Sequence, residues 1–76
     1  MTDTVLDAQG LSCPLPVLRA RKAMRGLAPG DVLRLIATDP GAVHDVAAMC
    51  EATGDCLVGS EETDGTFTFR IQKRNG

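Results

Sequence analysis

The 76-residue chain has no tryptophan and no tyrosine, and its only aromatics are Phe67 and Phe69. With 43% hydrophobic residues, its core must therefore be aliphatic. There is a single histidine, His44, and no Cys–His–acid constellation follows from any spacing. Three cysteines cannot close a disulfide set, and no two are separated by the two residues typical of zinc sites, so Cys13, Cys50, Cys56 and His44 do not read as metal ligands. The N-terminus carries two acids before Ala8 and no apolar run, and no segment approaches the length of a membrane span. We therefore expect a cytoplasmic protein with reduced thiols and no membrane association. A general basic surplus is also missing: net charge is −2, which argues against direct nucleic-acid binding. Positive charge is concentrated instead. Arg19, Arg21, Lys22 and Arg25 follow one another without an acid, whereas residues 31–64 carry eight acids against Arg34 alone.

What is present begins with Cys13-Pro14-Leu15-Pro16, just before the first amphipathic stretch. Residues preceding a helix are usually Ser, Asp, Asn or Thr, whose oxygens accept from orphan backbone N–H groups. A thiol caps poorly, but a thiolate gains from those groups and from the helix dipole. Proline is tolerated in the first helical turn, and it pushes the preceding residue out of the α region. Cys13 should thus sit extended outside the helix, with its thiol more acidic than a free cysteine. Arg19 and Lys22 are expected to favour the anion further.

Turn signals divide the rest of the chain. Thr4 to Ala8 reads as a short strand, ended by Gln9-Gly10. A helix opens at Pro14 or Pro16 and runs to about Gly26, followed by the turn Pro29-Gly30-Asp31. Val32 to Thr38 is a central strand. Asp39-Pro40 has the form of an N-cap followed by a first-turn proline, and Gly54 is suited to ending that second helix. Cys56 to Glu62 reads as a strand, Asp64-Gly65 is a hairpin turn, and Thr66 to Gln72 alternates strictly. The pattern predicts one α+β domain over residues 1–76. It is a two-layer βαβαββ sandwich, a four-stranded mixed sheet with both helices on one face. A domain of this size buries only about 60% of its unfolded surface.

Placing residues at helical steps assigns the faces. Val17, Ala20, Ala23, Met24 and Leu27 should meet the sheet. Leu18, Arg21, Lys22 and Arg25 lie opposite, with Arg19 at the border, and make a candidate docking face beginning beside Cys13. In the second helix Val43, Val46, Ala47 and Cys50 are expected inward and His44, Asp45 and Glu51 outward. Cys50 then reads as a small core residue. Cys56 begins a strand with its direction open. Asp7, Asp39 and Asp45 read as strand, cap and surface positions.

Asp7-Ala8-Gln9-Gly10-Leu11-Ser12-Cys13-Pro14-Leu15-Pro16 resembles the signature of the TusA/SirA (YedF-like) family of small sulfur carriers. The resemblance extends to Arg21-Lys22-Ala23, Pro29-Gly30-Asp31, Ala37-Thr38-Asp39-Pro40-Gly41 and Thr63-Asp64-Gly65. It implies that Cys13 accepts sulfur as a persulfide and passes it on, with Gly10, Pro14 and Pro16 as supporting motif residues. It also implies a cysteine desulfurase or rhodanese-type donor and a DsrE-like or TusD-like acceptor. Family end uses are tRNA thiolation, sulfur oxidation and sulfur delivery to molybdoenzymes. Ser12 and Thr38-Asp39-Pro40 depart from the pattern of many tRNA-thiolation members and lean away from that use. Such a carrier requires no cofactor and no general base. It requires an exposed thiol, a lowered pKa and no neighbouring resolving cysteine, and Cys13 is expected to meet all three. The alternative is a non-catalytic binding or regulatory module in which Cys13 is structural or redox-sensing.

Overall fold

The computed structural model describes residues 3–75; Met1 and Thr2, where the N-terminal reading begins, and Gly76 lie outside them. Six elements run in the predicted order: β1 (Asp3–Ala8), α1 (Leu15–Arg25), β2 (Val32–Ala37), α2 (Gly41–Thr53), β3 (Cys56–Thr63) and β4 (Thr66–Gln72). They form a four-stranded sheet of order β1-β2-β4-β3. β1 is parallel to β2, whereas β4 is antiparallel to both β2 and β3. Each helix therefore connects two parallel strands. The second connection skips one position, and β4 turns back at the hairpin to fill it. Asp64 and Gly65 both have positive φ, the geometry a two-residue hairpin needs to match strand twist.

One sheet face carries the core. Leu33, Leu35, Phe69 and Ile71 are fully buried beneath Val17, Ala20 and Met24 of α1 and Ala42, Val46 and Met49 of α2. Burying each large apolar side chain stabilises the fold by about 1.5–3 kcal/mol. α1 lies over β1 and β2, and α2 over β3 and β4. The core is aliphatic apart from the Phe67–Phe69 pair, stacked at 6.4 Å between ring centroids, of which only Phe69 is fully enclosed.

The inward face of α1 follows the expected spacing, and that of α2 does not. Its buried stripe is Ala42, Val46, Met49 and Cys50, while Val43 and Ala47 are exposed. The helix is rotated by about 60° from the expected setting, judged from steps of about 100° per residue. That rotation buries the long Met49 side chain in place of Ala47, which covers more apolar surface. It also turns Asp45 away from open solvent, toward α1.

Candidate functional site

The site is assembled where the C-terminal ends of β1 and β2 meet the starts of both helices. Gly10 has a φ of 80°, which glycine adopts at no steric cost, and its N–H donates to Thr38 Oγ1 at 2.9 Å. This ties the β1–α1 loop to the end of β2. The Cys13 N–H then donates to Asp39 Oδ2 at 2.7 Å, while Asp39 Oδ1 accepts from the Gly41 N–H at 2.9 Å. Asp39 is thus the α2 cap predicted for it, and its second oxygen fastens the cysteine loop. The two backbone donors, Cys13 first and Gly41 second, hold its carboxyl below the ordinary value of 3.8.

The Cys13–Pro14 peptide is cis, in a turn closed by the Leu15 N–H on the Ser12 carbonyl at 2.9 Å. α1 follows at once, with Pro16 buried in its first turn and Pro14 exposed before it. Cys13 therefore lies outside the helix, as expected. Its sulfur faces α2 rather than standing free at the head of α1. A Cβ on Gly41 would stand 3.2 Å from Cys13 Sγ, so the missing side chain there is what seats the thiol.

The charge around the sulfur reverses the expected acidity. The Cys13 thiol is pushed up from 9.0 to about 11. Its hydrogen bond to Asp45 contributes most, followed by burial and then by the charges of Asp45 and Asp39. Arg19 and Lys22 do not supply the expected counter-charge. They line a groove beside β1 with Leu6, Ala23 and Gly26. Asp45 is the neighbour of the thiol that sequence reasoning missed. Its position four residues after Gly41 signals only a surface helix residue until the rotation of α2 is known.

The candidate docking residues are exposed, as expected. Leu18 is 54% exposed, and Arg21, Lys22 and Arg25 are exposed. They divide by side, however. Arg21 and Arg25 border α2, and Lys22 borders β1. His44 is exposed on α2. All three cysteines are free: Cys13 half-buried, Cys50 buried and Cys56 exposed. Cys56 pairs with Gln72, which pairs with Val32, so it marks the opposite end of the sheet from Cys13. The site can present a single sulfur atom on a fixed loop, with no second cysteine at hand to discharge it. Among the described residues no group of three or more His, Cys, Asp or Glu is placed to hold a metal, and no helix is long and apolar enough to cross a membrane.

Comparison with known proteins supplies independent ground. Residues 4–73 match the family model described as sulfurtransferase TusA. A sulfur carrier protein TusA from Allochromatium vinosum is 51% identical over 71 residues, covering 93% of each chain. A sulfur carrier protein TusA from Pseudomonas aeruginosa is 43% identical over 72 residues, covering 95% of this chain and 91% of its own. The crystal structure of a SirA-like protein from Desulfitobacterium hafniense superimposes with a TM-score of 0.83 at 28% identity, covering 95% of this chain and 99% of that one.

Proposed function

The chain belongs to the TusA sulfurtransferase family, and from that premise we propose that it is a sulfur carrier whose working atom is Cys13 Sγ. In loading, the Cys13 thiolate attacks the outer sulfur of a donor persulfide. The donor's S–S bond breaks, its cysteine leaves as the thiolate, and the proton given up by Cys13 ends on that leaving group. Delivery repeats the step with an acceptor thiolate attacking the outer sulfur of the Cys13 persulfide. No electrons are gained or lost overall, so no cofactor is called for. The observation that carries the reading is the fixed, half-exposed Cys13 thiol within a family match that spans almost the whole chain.

The donor on this reading is a cysteine desulfurase or rhodanese-type protein and the acceptor a DsrE-like or TusD-like protein. They meet residues 1–76 acting as one TusA-like domain in the reducing cytoplasm. Leu18, with Arg21, Lys22 and Arg25 around it, supplies an apolar anchor within a charged ring. Gly10, Pro14 and Pro16 hold the loop that carries the sulfur.

Mass spectrometry of the protein after incubation with a cysteine desulfurase and cysteine tests the assignment. One added sulfur atom is expected on Cys13, none on Cys13→Ser, and normal loading on Cys50→Ala and Cys56→Ser. Loading that persists in Cys13→Ser overturns it.

A further inference from the structure

The two helices run side by side in the same direction, and the channel between them has a polarity that the sulfur chemistry alone does not require. Near Cys13 its walls are Pro14, just before α1, Val17 on α1, and Asp45 and Ala48 on α2. Farther along, Arg21 and Met49 line both this depression, of about 310 Å³, and a second one of about 110 Å³. The two depressions therefore adjoin at these two side chains. The second is bordered by Arg21, Arg25 and Lys73, with Met24, Thr53 and Asp55. Lys73 Nζ donates to the Met24 carbonyl at the end of α1, and Asp55 is occupied by Arg74 and Thr53. Arg21 and Arg25 make no ion pair among the described residues. The groove is thus acidic beside Cys13, apolar in the middle and cationic at its far end. The span from Pro14 to Arg25 is about 16 Å at 1.5 Å per helical residue.

We propose that this groove is the track for a cysteine-bearing arm of a sulfur-exchanging partner. The arm is an extended segment with a Lys or Arg beside its cysteine and an acidic group about 15 Å away, about five residues at strand rise. The proposal rests on Cys13 being the sulfur-bearing residue. Charge complementarity selects the occupant. A cation next to the incoming cysteine meets Asp45, and the distant acid meets Arg21 and Arg25. The reverse order sets acid against acid at the sulfur and cation against cation at the far end, which is exclusion by repulsion. An extended chain spans the distance in about five residues, where a helix needs about ten. The apolar middle, Val17, Ala48 and Met49, takes one face of that chain. A cation at Asp45 also neutralises the carboxylate that holds the proton on Cys13, so correct docking and release of the thiolate coincide.

Two short acetylated peptides of identical composition test the track on the full chain carrying Cys56→Ser. In each, the single cysteine is activated as a mixed disulfide with thionitrobenzoate. One has Lys beside the cysteine and Glu about five residues away; the other has the two exchanged. The Cys13 thiolate attacks the peptide sulfur, the existing S–S bond breaks, and coloured thionitrobenzoate leaves, which gives the rate. At low salt the first peptide should react about tenfold faster, and the two rates should converge at high salt. Arg21→Glu with Arg25→Glu, and separately Asp45→Asn, should shrink the preference. Equal rates at low salt, or a preference unchanged in the charge-reversed protein, overturn the track. Persulfide formation plays no part in this readout, so failure of the track leaves the carrier assignment standing, and failure of that assignment is read separately, from the mass of Cys13 after loading.

Discussion

Cys13 and Cys50 both hold their protons more tightly than a free cysteine, but different neighbours do the holding. At Cys50 the first cause is burial in the core beneath α2, with the charges of Asp55 and Cys56 behind it. At Cys13 the first cause is one hydrogen bond, from the thiol to Asp45 on the surface of the same helix layer. Burial is part of the fold and ends only when the fold does. A carboxylate can be neutralised by a partner's side chain without moving the backbone. Equal directions of shift thus describe an inert cysteine in one case and a latent one in the other. A carrier profits from latency, because a thiol kept protonated between encounters resists adventitious oxidation and alkylation.

The comparison is tested most severely by Asp45→Asn, which removes the carboxylate charge beside Cys13 and touches no cause at Cys50. The midpoint for Cys13 alkylation should fall from about 11 toward the ordinary 9.0. Near neutral pH the thiolate fraction then rises about tenfold per unit of fall, and the alkylation rate about threefold once lower nucleophilicity is counted. Rate against pH measures both. An unchanged midpoint in Asp45→Asn would mean that burial governs both cysteines alike.

Stability should separate the two residues in the other direction. Cys50→Ser puts a hydroxyl into an apolar site and should lower unfolding free energy by about 1–3 kcal/mol in urea. Cys13→Ser, at a half-exposed loop position, should cost under about 1 kcal/mol. Similar losses for both would remove the distinction between core and site.

The smallest effect concerns Asp39, whose depressed carboxyl joins the cysteine loop to α2. A lowered folded value means that the link contributes fully above the ordinary 3.8 and is lost as pH falls below it. Amide hydrogen exchange at Cys13 and Gly41 should therefore quicken selectively under acid while that at Leu35 and Phe69 stays slow. Uniform quickening would show that the loop has no local dependence on Asp39.

Much of this is legible along the chain. Thr66 to Gln72 alternates so strictly that its strand and its buried face admit one setting, and Asp64-Gly65 marks the turn before it. Val17, Ala20 and Met24 place α1 by spacing alone, because the opposite face is charged and cannot be buried. The cap at Asp39 and the stop at Gly54 are local backbone chemistry and are seen correctly. The family resemblance likewise singles out Cys13 from nearby residues. In α2 the pattern is weaker: Ala42, Val43, Val46, Ala47, Met49 and Cys50 are apolar on more sides than a core can accept. Several settings are then compatible with the sequence, and packing of Met49 against the sheet chooses one.

That choice also determines the chemistry of the site. The order of elements, the layer arrangement and the place of Cys13 in a loop just before α1 can be read along the chain. All of these follow from interactions between residues a few positions apart, or from a motif written in one stretch. Packing of the two helices on the sheet is what brings Asp39, 26 residues away, onto the Cys13 N–H and Asp45 to the thiol. Electrostatic environment depends on distance in space, and a rotation of one helix by about 60° moves a carboxylate from solvent to the sulfur without changing any local sequence preference.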